Sequence, residues 1–198
     1  MSNMHALTAA DILPLADYAK VRVETRRKIS ERKKNRRVEV GPNVTFYFEC
    51  RETMWLQVQE MLHIEKGGAE QLVDELAAYN PLIPDGSELV ATFMIEIDDP
   101  ERRKRVLSRL GGIETKVFIQ IGERKINAIP EADQDRTTAD GKASSVQFVH
   151  FPFTAADMAA FKTAGARVIL GLDHENYAHL AIMPEAVRAE LAGDFDAA

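Results

Sequence analysis

The chain has 198 residues, 25 Lys and Arg against 31 Asp and Glu for a formal net charge of −6, 45% hydrophobic residues and a single cysteine. That composition supplies a core and excludes wholesale disorder, an internal disulfide and any four-cysteine zinc or iron–sulfur site within one chain. MSNMHALTAADILPL lacks the pattern of a secretory leader, and no apolar run approaches the roughly 20 residues needed to span a bilayer, so the expectation is a cytoplasmic protein with no membrane segment.

In chain order, Thr8 and Asp11 read as a helix cap with an acid in the first turn, opening a short element that ends at Pro14. A helix is predicted from Asp17 to about Arg37. Its apolar stripe is thin, Tyr18, Val21, Thr25 and Ile29, so its first half should dock and its second half should project into solvent. Alternation over Val44–Glu49 predicts a strand. From Glu52 to about Lys66, Met54, Trp55, Val58, Met61 and Leu62 fall on one helical face that should lie on the sheet, and Gly67-Gly68 ends it. A helix over 69–80, a strand over 89–97 and a charged helix over 100–110 follow. Strands at 116–121 and 125–129 form a hairpin around Gly122-Glu123, and the polar stretch 131–141 is the best place for a mobile loop or lid. The remainder predicts a strand (144–153), a helix (154–165), a strand (167–173), an edge strand (177–183) and a closing helix after Pro184.

Strands and helices mix without strict alternation. The fold class is therefore α+β: a mainly antiparallel sheet of about six or seven strands with packed helices and a basic N-terminal helix. One domain spans 1–198, with residues 1–38 as a helical arm on a body of 39–198.

No phosphate-binding loop, dinucleotide fingerprint, nucleophile elbow, HExxH or CxxC occurs, which argues against the common ATPases, Rossmann enzymes, serine hydrolases and zincins. Glu60 and His63 form an ExxH, the spacing used by carboxylate-bridged iron sites, although a ferritin-like centre needs a second copy. Asp173, His174, Glu175, Asn176, Tyr177 and His179 gather imidazoles, carboxylates and a phenol at a strand end. They could ligate a metal or do acid–base chemistry, or they could simply make the turn. Glu60, His63, His174 and His179 are thus the candidate ligands for iron or zinc. His150 reads as a hydrogen-bonded core histidine. Cys50 has Arg51 beside it but no placed histidine, which favours an inert thiol.

Lys20–Arg37, KVRVETRRKISERKKNRR, holds ten basic and two acidic residues, a net +8, which leaves −14 on the other 180 residues. Docking on an acidic protein surface, a second copy included, ranks first for Arg26, Arg27, Arg32, Lys33, Lys34, Arg36 and Arg37. The turns from Arg32 to Arg37 are the expected contact. A solvated face ranks second. Nucleic acid ranks third, because no aromatics interleave with the basic residues.

The fragments ADILPLADYAKVR, RRVEVG, TFYFECRETMWLQVQEMLHIEK, AAYNPLIP, ELVATFMIEI, SSVQFVHFPF and LDHENYA occur in an order that resembles the bacterial family catalogued as domain of unknown function 3501, from Thr8 to about Leu191. Members of that family are often encoded beside a rubrerythrin-like protein and an iron–sulfur oxidoreductase. The resemblance implies an accessory or binding role in a redox or peroxide-stress system. It points to Arg51, Gln57, Gln59, Glu60, Asp173, His174 and Tyr177 as ligand-binding candidates, with Glu49, Thr53 and Glu65 in the same motifs. Cys50 stands where the family usually has a polar residue, and His63 where it usually has arginine. Both departures favour a structural or ligand-binding Gln-Glu helix over an iron site. A metal-binding protein or enzyme built on Glu, His and Tyr is the alternative, and a nucleic-acid-binding regulator the second.

Overall fold

The computed structural model describes residues 5–131, 137–138 and 141–196. In chain order these form α1 (Leu15–Lys34), β1 (Arg37–Val40), β2 (Val44–Phe48), α2 (Arg51–Glu65), α3 (Ala69–Tyr79), β3 (Glu88–Ile95) and α4 (Pro100–Leu107). They continue as β4 (Val117–Ile121), β5 (Arg124–Asn127), β6 (Ile129–Pro130), β7 (Val146–Pro152), α5 (Ala155–Lys162), β8 (Val168–His174), β9 (Tyr177–Ile182) and α6 (Glu185–Leu191). The stretch 131–141, read as a loop or lid, lies mostly outside the described residues.

The fold is α+β and every strand pair is antiparallel. The nine described strands divide into two sheets, ordered β1-β2-β3-β7-β6 and β5-β4-β8-β9, where the sequence pattern suggested one. Alternation explains how they face each other. Val44, Phe46 and Phe48 of β2 and Leu89, Ala91, Phe93 and Ile95 of β3 join Val117, Ile119, Val168, Leu170 and Leu172 of the second sheet in one buried cluster. The opposite face of the first sheet, with Val90 and Phe148, receives Met54, Val58 and Leu62 of α2, as the helical spacing predicts. Helices α1–α3, the first sheet and the second sheet therefore make three layers, while α4, α5 and α6 add Leu107, Phe161, Val187 and Leu191 to the cluster between the sheets.

Two details depart from the sequence reading. Tyr18 and Ile29 are buried as expected, but Val21 is 42% exposed and the helix stops at Lys34. Arg37 then opens β1, a four-residue strand hidden in the sequence behind the basic run. The tight β1–β2 turn uses Gly41 at φ 72°, where a Cβ would lie 2.6 Å from the His179 ring.

Candidate functional site

Glu60 sits where α1 crosses α2. It accepts from Arg22 Nε and Nη2, each at 2.8 Å, and from the Tyr18 hydroxyl at 2.5 Å, with Arg26 3.7 Å away. The Arg22 guanidinium chiefly, helped by Tyr18, holds the Glu60 carboxyl down to about 2 against the opposing effect of burial. Burial first, and Glu60 second, push the Tyr18 phenol well above its usual range. His63 contributes a ring edge packed on Tyr18 at 5.8 Å. The ExxH pair is thus a fastening between two helices. Gln57 donates to the Tyr79 hydroxyl at 3.3 Å, and Gln59 is fully buried with neither amide atom hydrogen bonded among the described residues.

The second candidate cluster lies elsewhere, at the β8–β9 turn. His174 Nδ1 accepts the Asn176 amide at 3.1 Å and its Nε2 lies 3.2 Å from the Gly111 carbonyl. The Tyr177 hydroxyl donates to Val40 O at 2.8 Å and accepts the Asn43 amide at 3.0 Å. His179 stacks edge-on against Tyr177. Asp173 is exposed. The proposed iron or zinc ligands Glu60, His63, His174 and His179 are therefore split between two regions, and among the described residues no three His, Cys, Asp or Glu side chains converge on a metal position.

The basic segment is largely neutralised within the chain. Nine of its ten cations have a carboxylate within 3.7 Å, drawn from Asp17, Glu24, Glu31, Glu39, Glu52, Glu60, Glu190 and Asp194. Arg36, expected on a partner-facing surface, is 1% exposed. Its Nε donates to Phe48 O at 3.0 Å, its Nη2 to Glu49 O at 2.8 Å, and it pairs with Asp194. Arg32 bridges Glu52 and Glu190, both at 2.8 Å. The last two turns hence hold the molecule together, and the surface they were expected to offer narrows to Lys33, Lys34 and Arg37.

Beside that clamp a cavity of about 360 Å³ is lined by Cys50, Arg32, Arg51, Glu52, His5 and Asp194, among others. Cys50 caps α2 and is buried. Burial raises its thiol, and the charges of Arg36 and Arg32 offset this only in part, so it is protonated at neutral pH. Arg51 is tied to Asp11 at 2.6 Å, and its Nε is buried without an acceptor.

The opposite case is α4. Arg102, Arg103 and Arg109 reach only neutral oxygens, Asn43 Oδ1 at 3.5 Å, Ile97 O at 3.0 Å and Asn176 Oδ1 at 2.9 Å. Among the described residues none of Arg102, Arg103, Lys104, Arg105 and Arg109 forms an ion pair with a carboxylate. The concavity between this element and the β8–β9 turn measures about 460 Å³ and is lined by Arg102, Arg105, Ser108, Arg109 and Asn176 over Val106 and Leu110.

The model of the family described as protein of unknown function (DUF3501) matches residues 6–195. The chain belongs to this family. None of the curated proteins compared with it matches. A crystal structure of a novel protein of unknown function from Burkholderia pseudomallei shares 40% identity, covers 96% of this chain and 100% of its own, and superposes with a TM-score of 0.89. Family membership brings no catalytic residues with it, so the chemistry must be argued from the side chains.

Of the residues singled out in the sequence, the structure joins Tyr18 with Glu60 and His63, and Asn176 with His174. It keeps those two groups apart. The arginines here were read in the sequence only as part of a charged helix: positions 102 and 105 have the i, i+3 spacing of one helical face, and Arg109 lies just past the end of α4 at Leu107.

Proposed function

We propose that this protein is a cytoplasmic, non-catalytic accessory protein that docks an acidic partner of an iron–sulfur or rubrerythrin-type redox system on the outer face of α1. The observation that carries the reading is Val23, 81% exposed, set between the exposed Lys20 and Arg27 on one helical stripe that continues to Lys34. An exposed apolar side chain rimmed by long cations offers an acidic partner one apolar contact inside a ring of complementary charge. The ion pairs on this face, Lys20 with Asp17, Arg27 with Glu24 and Lys34 with Glu31, are solvent-exposed neighbours on one helix. Solvent screening leaves such exposed pairs weak, so a partner's carboxylates can replace them. The redox identity of the partner rests on the family resemblance. No helix of the described residues is long and apolar enough to cross a membrane, which accords with a partner in solution.

The test is a binding titration of the host's iron–sulfur oxidoreductase and rubrerythrin-like protein against the wild type and a Val23→Asp/Arg27→Glu variant. One of the two should bind, with an affinity that falls as salt is added and drops at least about tenfold in the variant. Equal binding by the variant refutes this surface. Failure of both proteins to bind refutes the redox assignment.

A further inference from the structure

We infer that the concavity between α4 and the β8–β9 turn is a binding site for a phosphate-bearing small molecule. Charge is the first argument. The protein is net negative, yet five cations crowd into residues 102–109 and none has a carboxylate partner among the described residues, whereas nearly every cation of the longer basic run is paired. Mutual repulsion of clustered guanidinium groups is relieved by an anion held between them.

Shape and preorganisation agree. Arg102, Arg105 and Arg109 line a hollow of about 460 Å³ with no acidic and no aromatic side chain in its walls. That volume lies within the range of small-molecule sites. Arg109 is already held: its Nη2 donates to Asn176 Oδ1 at 2.9 Å, and Asn176 Nδ2 donates back to the Arg109 carbonyl at 3.1 Å. Asn176 is in turn fixed by His174, whose Nδ1 accepts its amide at 3.1 Å. The His-Glu-Asn turn that reads in the sequence as a possible metal or acid–base cluster becomes here the wall that orients an arginine. Forked guanidinium donors match phosphate oxygens two at a time. The walls bring no aromatic face on which a base could stack, so the phosphoryl group itself is what the site recognises.

The test is calorimetric titration with glycerol 3-phosphate in low-salt buffer, comparing the wild type with Arg105→Gln, with Arg105→Gln/Arg109→Gln, and with a Lys20→Gln/Arg27→Gln control on α1. Circular dichroism checks that these exposed substitutions leave the fold intact. Binding should weaken about tenfold or more for each of these two arginines removed and be unchanged in the control. It should strengthen between pH 5.5 and 7.5 as the phosphate takes its second charge near pH 6, while sulfate binding stays flat. Absence of glycerol 3-phosphate binding, or equal binding by the double variant, overturns the inference. So does a duplex oligonucleotide that binds α4 while the phosphate ester does not.

Discussion

Arg36 offers the sharpest test of how this fold is held. Replacing it with methionine preserves most of the buried stem but removes the guanidinium that pairs with Asp194, whose side chain is only 8% exposed, and that caps the Phe48 and Glu49 carbonyls. An uncompensated buried charge destabilises by about 3–5 kcal/mol, against a typical domain stability of about 5–15 kcal/mol. At roughly 2–4 °C per kcal/mol for a chain of this size, Arg36→Met should melt about 10–15 °C below the wild type and unfold at correspondingly lower urea. Removing the stranded charge as well, in Arg36→Met/Asp194→Asn, should recover a good part of the loss, since the penalty lies in the unpaired ion more than in the lost bridge. A loss below about 1 kcal/mol in the single variant, or a double variant no more stable than the single, would show that the clamp is not what holds this corner.

Glu60→Gln should lower stability at pH 7 by about 1–3 kcal/mol, because it takes the charge from a carboxylate hydrogen-bonded by Arg22 and Tyr18. The wild-type carboxyl is depressed from its ordinary value of 4.5 to about 2, so its contribution is present above pH 4.5 and lost as the pH falls toward 2. Denaturation of both proteins across that window checks it, and a gap between them that stays constant down to pH 2 refutes it. His150 lies 2.9 Å from Glu88 Oε2 and 2.7 Å from Glu131 Oε2, and these carboxylates, Glu88 foremost, raise its ring above the usual 6.5. Its contribution is complete below 6.5 and lost as the pH rises through the higher folded value. The ring resonance should therefore titrate with a midpoint above 6.5, and the Glu131 amide, bonded to the Phe148 carbonyl at 3.1 Å, should lose exchange protection above that midpoint. A midpoint at or below 6.5 would remove the argument.

What could be read from the sequence was whatever depends on neighbours along the chain. The 3.6-residue spacing of Met54, Val58 and Leu62 and the alternation of Leu89, Ala91, Phe93 and Ile95 reflect burial of one face, and both elements are where that pattern puts them. The partition of strands into two sheets was not legible, because alternation marks which side of a strand is buried but not which other strand lies across from it. Ion-pair partners were equally hidden. Arg36 and Asp194 are 158 positions apart, and no local count of charge in KVRVETRRKISERKKNRR can reveal that one of its arginines is interior. The Glu60-x-x-His63 spacing was visible, but its meaning depended on Arg22 and Tyr18 arriving from another helix. At the β8–β9 turn the residues were right and the chemistry differed: the imidazole of His174 orients Asn176.

The Arg36 clamp also bears on how the protein is made. Its acidic partners, Glu190 and Asp194, follow it by 154 and 158 positions, and Arg32 takes its second carboxylate from the same segment. At ribosomal rates of about 5–20 residues per second, these two guanidinium groups stand without those carboxylates for roughly 8–30 s, while the pairs that α1 makes with Glu24, Glu31 and Glu60 are already available. Closure of the C-terminal segment therefore buries Arg36 and gives Arg32 its second carboxylate, while the outer stripe of Lys20, Arg27 and Lys34 stays as exposed as before.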